Sequence, residues 1–142
     1  MDQFRAEGLL RLTLVTQKIA RCLAGDAGLT VSEFHCMMQL YLEKPCCVRK
    51  LTEILGIGAT STSKLLRSLD MKEWITRDLD ETDRRKERVA LTSQGNEIIQ
   101  RIMQAADEAA LSLMEQLPPD RRGPFTECVH TVTRHIKTLS QH

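Results

Sequence analysis

The sequence predicts a mainly α-helical fold with one small β-hairpin. Apolar residues recur at helical spacing through most of the chain, and Gly or Pro separates the successive segments. Only residues 74–77 and 89–92 are rich in residue types that favour strands, and the sequence between them is too charged to lie in a core. The length of 142 residues fits a domain of about 100–200 residues, so we expect a single domain.

The composition excludes several classes of protein. No stretch approaches the ~18 consecutive apolar residues of a membrane span, and the N-terminus lacks the apolar region of a secretory signal. We therefore expect a cytoplasmic protein without membrane contact. The chain contains no phosphate-binding loop, dinucleotide fingerprint or zinc-protease motif, and its Cys and His spacings match no zinc site. We expect neither an enzyme, nor a cofactor, nor a metal.

The first two predicted helices differ in their apolar pattern. Residues 3–24 contain no Pro and form a helix that ends near Gly25. A second helix begins at Thr30 or Ser32, and its apolar residues occupy nearly all sides, which is typical of a buried helix. Pro45 ends this helix because the residue before a Pro disfavours helical backbone.

Two further helices, residues 48–55 and 60–73, are joined by the turn Gly56-Ile57-Gly58. Two helices joined by about three or four residues that include Gly form a helix-turn-helix, whose second helix enters the DNA major groove. We expect the exposed face of the second helix to carry hydroxyls and basic groups, which suit phosphates and base edges. These side chains are Thr60, Ser61, Ser63, Lys64 and Arg67.

Positive charge is concentrated around this unit. The whole chain has a net charge of only +1, but residues 44–72 contain six basic and two acidic side chains, a local net charge of +4. Phosphate binding requires such a local basic surface. A helix pair that is merely solvated would have the same composition, so the charge alone leaves both interpretations open.

A hairpin follows the second of these helices directly. Residues 77–88 contain five basic and five acidic side chains, hence a net charge of zero. We expect some carboxylates to pair bidentately with particular arginines. The basic groups at the tip, Arg84, Arg85 and Lys86, are expected to reach the narrow DNA minor groove. The hairpin and the preceding helices predict a winged helix-turn-helix over residues 30–92.

Long helices are predicted near both ends of the chain. Thr92 or Ser93 caps a helix that Pro118 stops, and a last helix follows it. Their apolar faces are wider than a small core needs. We therefore expect residues 1–25 and 93–142 to form a dimerisation region; the alternative is that they pack on each other within one monomer.

Three motifs together resemble one protein family. The pattern Asp-x-Arg-x-x-x-Val-x-Leu-Thr-x-x-Gly is matched at every position within residues 83–95. The sequences LTEILGI at residues 51–57 and LTVSEF at residues 29–34 are also similar to segments of that family, the MarR-type winged-helix transcriptional regulators. The matched positions of the first pattern are Asp83, Arg85, Val89, Leu91, Thr92 and Gly95.

The resemblance implies a homodimer that binds a pseudo-palindromic operator in double-stranded DNA. It also implies repression of neighbouring genes, relieved by a small-molecule effector or by oxidation. Asp83 is implied to be the structural carboxylate of the wing, and Arg85 the arginine that enters the minor groove or braces the wing. Thr60 to Arg67 then fall on the recognition helix. A winged helix that contacts only other proteins is the alternative.

The chain departs from the family pattern at two turns. The family commonly has Gly before the first wing strand, where this chain has Glu73 followed by Trp74. Without Gly the helix must end in another way. The Ser that commonly precedes the recognition helix is Gly58 here, so we expect the helix to be capped by Thr60 or by Gly58 itself.

Four of the five cysteines are candidates for oxidation. Cys46 and Cys47 are adjacent and precede the helix-turn-helix, where we expect either a strained vicinal disulfide or two small residues in a turn. Cys22 and Cys128 lie on the predicted dimerisation helices, where a disulfide between subunits is possible. Cys36 lies on the second helix and is expected in the core.

Overall fold

The computed structural model of the chain describes residues 6–139, apart from the side chains of residues 6, 9 and 136–139. Residues 1–5 and 140–142 of the predicted dimerisation region therefore lie outside the described residues. The elements in chain order are α1 Ala6–Asp26, α2 Val31–Glu43, β1 Cys46–Cys47, α3 Val48–Leu55, α4 Ala59–Met71, β2 Ile75–Leu79, β3 Glu87–Leu91, α5 Ser93–Glu115 and α6 Pro119–Leu139. The predicted mainly α-helical fold with a small antiparallel sheet is confirmed.

The sheet has one more strand than predicted. The hairpin of β2 and β3 is present, but β1 also pairs with β3 in antiparallel fashion, so the strand order is β1-β3-β2. Cys46 lies opposite Val89, and Cys47 lies opposite Arg88. The prediction of a turn at Cys46 and Cys47 was therefore wrong. A strand of two residues is too short to show any periodicity in the sequence.

Several predicted boundaries shift by one to a few residues. Helix α3 matches residues 48–55, whereas α4 begins one residue earlier than predicted and ends at Met71 rather than at residue 73. Both wing strands extend into the charged stretch, where Asp78 lies opposite Arg88 and Leu79 opposite Glu87. Charged residues continue these strands because cross-strand pairs of opposite charge are favourable on an exposed ribbon.

The contacts divide the chain into two compact units, Met1–Gln104 and Ala105–His142. The hydrophobic core of the first unit lies among α2, α3, α4, the sheet and the start of α5. Its fully buried side chains are Cys36, Met37, Leu51, Thr62, Leu66, Leu69, Val89 and Ile99. Helix α2 is less buried than predicted, because Tyr41 and Leu42 at its C-terminal end are exposed.

The long terminal helices expose many large apolar side chains. In the first unit, five of them lie among the described side chains of α1. In the second unit, exposed apolar side chains occur on α5 and on α6. They are Leu10, Leu12, Leu14, Val15 and Ile19 on α1, Leu111 and Leu113 on α5, and Phe125, Val129 and Val132 on α6. None of the helices within residues 6–139 combines the length and apolar character that crossing a membrane requires.

Candidate nucleic-acid interface

The turn between α3 and α4 is built on two glycines. Gly56 has a left-handed backbone (φ 63°), which glycine adopts without steric cost, and its N–H donates to the carbonyls of Thr52 and Glu53. Gly58 is the N-cap of α4 and supplies no side-chain bond. Of the two predicted caps, Gly58 is the one observed. The turn therefore ends α3 at Gly56 and begins α4 after Gly58.

Two threonine hydroxyls join the helices of this unit. The Thr62 hydroxyl, fully buried, donates to the carbonyl of Gly58 at 3.1 Å, and the Thr52 hydroxyl lies 3.1 Å from the Thr62 oxygen. A buried hydroxyl is stable only when it is hydrogen-bonded, so this pair fixes α3 against α4. Thr62 is the one hydroxyl of residues 60–63 that was not predicted on the exposed face.

Helix α4 separates a buried face from an exposed polar face. Leu65, Leu66 and Leu69 are buried. The five side chains of this helix that were predicted to bind DNA are all exposed, and the structure brings them together on α4. They are Thr60, Ser61, Ser63, Lys64 and Arg67.

Helix α4 ends without the glycine that is common before the first wing strand in the family. Glu73 adopts a left-handed backbone (φ 58°). Its N–H donates to the carbonyl of Asp70 at 2.9 Å, and the N–H of Trp74 donates to the carbonyl of Leu69 at 3.1 Å. These two bonds form a Schellman-type helix end. A non-glycine residue in this conformation carries a steric cost, so Glu73 occupies a strained position.

The base of the wing is closed by Thr92 and Gly95. The Thr92 hydroxyl donates to the carbonyl of Glu73 at 2.7 Å and accepts the N–H of Gly95 at 3.0 Å, which caps α5. The N–H of Thr92 donates to the carbonyl of Trp74 at 3.1 Å. A Cβ on Gly95 would lie 2.0 Å from that carbonyl oxygen. The Thr-x-x-Gly part of the motif is thus a close contact between α5 and the wing.

The bidentate pair predicted in the wing lies on its strands. Arg77 Nε donates to Glu87 Oε1 at 2.6 Å, and a second nitrogen of the same guanidinium donates to Glu87 Oε2 at 3.0 Å. The hydrogen bond from Arg77 lowers the pKa of Glu87 against the opposing effect of burial. The sequence predicts bidentate pairing in the wing but does not identify these two partners, because the pair depends on the register of the hairpin.

The tip of the wing is organised by two aspartates. Asp80 Oδ1 accepts hydrogen bonds from the N–H and hydroxyl of Thr82 and from the N–H of Asp83, and these bonds lower the pKa of Asp80. Asp83 Oδ1 accepts from the N–H of Arg85 at 3.1 Å and from its Nε at 3.3 Å. Lys86 Nζ lies 3.8 Å from Asp83 Oδ2. Asp83 thus contacts two of the predicted basic residues.

The predicted basic side chains of the wing tip all lie at the surface. Arg84, Arg85 and Lys86 are exposed, and the side chain of Arg85 is 91% exposed despite its contact with Asp83. These three side chains therefore face water and are accessible to a ligand of opposite charge.

A buried carboxylate behind α4 was not predicted. Glu33 Oε1 accepts a hydrogen bond from the Ser68 hydroxyl at 2.6 Å and from Lys72 Nζ at 2.9 Å. Its other oxygen accepts from the N–H of Thr30 at 2.9 Å, while the Thr30 hydroxyl accepts from the N–H of Glu33. From the sequence, Glu33 is only part of a motif and Lys72 is one of the six basic residues within residues 44–72.

The vicinal disulfide that was one of the two alternatives for Cys46 and Cys47 is not present in the structure. All five are free thiols; Cys22 and Cys128 are exposed, Cys47 is partly buried, and Cys36 and Cys46 are buried. Burial raises the pKa of Cys46, and it raises the pKa of Cys36 to about 12. Cys46 and Cys47 also lie in an extended strand, whose successive side chains point to opposite faces. In the described part of the chain, no cluster of three His, Cys, Asp or Glu residues is arranged to hold a metal ion.

Comparison with known proteins agrees with this arrangement. The model of the MarR family matches residues 29–86, from the start of α2 into the wing. An uncharacterized HTH-type transcriptional regulator of Bacillus subtilis, YwaE, is 21% identical over 135 residues, which span 95% of this chain and 76% of that protein.

Solved structures agree over almost the whole chain. A MarR transcriptional regulator from Methanosarcina mazei Go1 has a TM-score of 0.77 at 22% identity, covering 97% of this chain and 99% of that chain. A mutant of S. aureus MepR bound to an oligodeoxyribonucleotide has a TM-score of 0.66 at 21% identity, covering 96% and 99%. The winged helix-turn-helix fold is therefore shared with these regulators.

Proposed function

We propose that the chain is a transcriptional regulator of the MarR family, which binds an operator in double-stranded DNA as a homodimer and represses transcription in the cytoplasm. The observation that carries the proposal is the exposed face of α4. Five hydrogen-bonding side chains lie there together while the opposite face is buried. A surface of hydroxyls and cations on the second helix of a helix-turn-helix is suited to the major groove.

The two parts of the interface have different roles in this proposal. Lys64 and Arg67 contact guanine edges or phosphates from α4, and the N-terminus of α4 directs its partial positive charge at a phosphate. Arg84 and Arg85 enter the minor groove beside it, where the electrostatic potential is most negative. Asp83 holds the tip of the wing in shape through its contacts with Arg85.

The proposed dimer would cover the exposed apolar side chains of the terminal helices. The exposed rows on α1 and on α6 would remain in contact with water in an isolated chain, and large apolar patches of this kind mark association surfaces. A symmetric dimer would place two copies of α4 on successive major grooves, about 34 Å apart. The pseudo-palindromic operator follows from this symmetry.

The proposal includes relief of repression by a small-molecule effector or by an oxidant. Cys22 and Cys128 are exposed, whereas Cys47 is partly buried and Cys46 is buried with a raised pKa. Cys22 and Cys128 are therefore the thiols of the isolated chain that an oxidant reaches most readily. DNA binding of the wild type, Cys22→Ser and Cys128→Ser after peroxide treatment would distinguish an oxidant from a small-molecule effector. Loss of DNA binding in the wild type alone supports oxidation, whereas indifference to peroxide leaves a small ligand as the effector.

The central experiment is selection of bound duplexes from a random double-stranded library, followed by titration of the selected duplex over a range of salt concentrations. We expect one pseudo-palindromic sequence to be enriched and its affinity to fall steeply with salt. Lys64→Ala and Arg67→Ala should weaken binding, whereas Arg101→Ala, an exposed arginine of α5, should not. If no sequence is enriched and salt has no effect, the chain is an interaction module for proteins instead.

A further inference from the structure

We propose that Glu33 is a positioning residue for DNA recognition, because its buried carboxylate holds Ser68 and Lys72 and so fixes α4 against α2. The inference rests on the proposed DNA binding. It also removes Lys72 from the residues that contact phosphate. Neither role follows from the family motif, in which Glu33 belongs to the opening of α2.

The geometry places one carboxylate between two helices. Ser68 lies in the last turn of α4 and Lys72 is the C-cap residue that follows the helix, and both donate to Glu33 Oε1, at 2.6 and 2.9 Å. Glu33 Oε2 is held by the N–H of Thr30, at the start of α2. Only 4% of Glu33 is exposed. A carboxylate this buried is stable only when donors surround it, so its position dictates where the C-terminal half of α4 lies.

The carboxylate remains charged at neutral pH. Burial opposes its ionisation, but the hydrogen bonds from Ser68, Thr30 and Lys72, together with the positive charge of Lys72, outweigh burial and lower the pKa of Glu33. A charged acceptor forms stronger hydrogen bonds than a neutral one. Glu33 therefore acts as a fixed anion against which α4 is aligned.

Lys72 extends the constraint to the wing. Its ammonium nitrogen lies 2.9 Å from Glu33 and 5.0 Å from the centre of the Trp74 ring, a cation–π distance. The Trp74 carbonyl in turn accepts the N–H of Thr92 at the base of the wing. One set of contacts thus joins α2, the end of α4 and the wing.

The charge of Lys72 is neutralised inside the protein. Its side chain is 32% exposed and its ammonium is paired with Glu33, whereas Lys64 on α4 is exposed and has no ion pair within residues 6–139. Each phosphate contact contributes about −0.9 to the slope of log affinity against log salt. Lys64 and Lys72 should therefore differ in this slope.

The test compares Lys72→Met, Glu33→Gln and the double variant with the wild type. The probes are the duplex selected by the wild type and a scrambled duplex of the same length and composition. Affinity for both is measured over a range of salt concentrations, and thermal unfolding is recorded for each variant. Glu7→Gln is the matched control, because it removes the same charge from an exposed ion pair with Arg11 on α1.

We expect both single variants to lower the ratio of specific to non-specific affinity by about five- to tenfold, with an unchanged salt slope. The double variant should lose no more than the worse single variant, because the two residues form one contact. Emission from Trp74 should shift in Lys72→Met and not in Glu7→Gln. Lys64→Ala should instead make the slope less negative by about 0.9.

Two results would overturn the proposal. If the slope of log affinity against log salt is less steep in Lys72→Met than in the wild type, Lys72 contacts a phosphate. If the ratio of specific to non-specific affinity is unchanged, Glu33, Ser68 and Lys72 only stabilise the fold, since a smaller folded fraction weakens binding to both duplexes equally. If Glu33→Gln does not fold, Lys72→Met alone decides. Failure of the proposed function itself looks different, because the wild type would then distinguish no duplex at all.

Discussion

Helix α4 and the wing both expose basic side chains, but those of α4 are unpaired whereas most of those of the wing form ion pairs within the described chain. The polar side chains on the exposed face of α4 have no hydrogen-bond or ion-pair partner within the described chain. In the wing, by contrast, most basic side chains are already paired with a carboxylate. The pairs are Arg77 with Glu87, Arg85 and Lys86 with Asp83, and Arg88 with Asp80.

The difference shows that the number of basic side chains in a segment does not give the number that are free of an ion pair and able to bind a ligand. Exposed ion pairs contribute only about 0–1 kcal/mol to stability, so the pairs of the wing act mainly on its shape. Arg84 is the exposed wing arginine without an ion pair in residues 6–139. The helix therefore offers groups ready to bind, whereas the wing offers a shaped ribbon with few such groups.

The largest expected effect comes from Gly95→Ala, which separates the wing from α5. The new Cβ would lie 2.0 Å from the Trp74 carbonyl oxygen, so backbone must shift, and we expect a loss of about 2–3 kcal/mol in unfolding free energy. Gly25→Ala is the control. Gly25 lies in α1 with no atom near its Cβ position, and alanine there should stabilise by about 0.5–1 kcal/mol. Equal stability of the two variants would contradict the contact.

Arg85→Ala tests whether single arginines of the wing bind DNA. We expect a loss of about 1–2 kcal/mol in affinity for the selected duplex, measured by fluorescence anisotropy, as for a groove-inserted arginine. Lys86→Ala removes a neighbouring exposed cation that is paired with the same aspartate, and it should cost less. Unchanged binding by a folded Arg85→Ala protein would exclude Arg85 from the interface.

Glu73→Gly tests the strain at the junction of helix and wing. Glycine adopts the left-handed backbone of Glu73 without steric cost, so unfolding free energy should rise by about 1 kcal/mol. Glu97→Gly, at an exposed position inside α5, should lower it by about 1 kcal/mol. A Glu73→Gly protein no more stable than the wild type would mean that the junction is relaxed.

The smallest expected effect concerns the pair of Arg77 and Glu87. Glu87 has a lowered pKa in the folded chain, so its charge stabilises above the ordinary carboxyl pKa, and this stability is lost as the pH falls through the folded value. Glu87→Gln should therefore cost about 0.5–1 kcal/mol near neutral pH and almost nothing in acid. Denaturant unfolding at both pH values measures this. Glu53→Gln, in an exposed pair on α3, should show little change at either pH.

The sequence predicts the helices well because most of them have several turns over which an apolar period repeats. The exposed face of α4 follows from the same period, which places Thr62 inside and its neighbours outside. The motif at residues 83–95 marks the wing, although the reason for its Gly95 required the position of the Trp74 carbonyl. Helical period and local motif thus specify most of the candidate interface.

The contacts that the sequence does not reveal join distant residues. Glu33 and Lys72 are 39 residues apart, and nothing in their local sequence pairs them. Strand β1 is too short for a pattern, and the pair of Arg77 and Glu87 depends on hairpin register. In each case the tertiary packing determines which charged side chains pair and which strands hydrogen-bond to each other.

The single tryptophan of the chain lies at the junction of α4 and the wing. Indole emission responds to nearby charge and to water, and the Trp74 ring has the Lys72 ammonium 5.0 Å from its centre. Any movement of the recognition helix relative to β2 should therefore change the colour or intensity of that emission. Trp74 is therefore an intrinsic fluorescent probe of this junction, and binding of a candidate duplex can be followed with unlabelled protein.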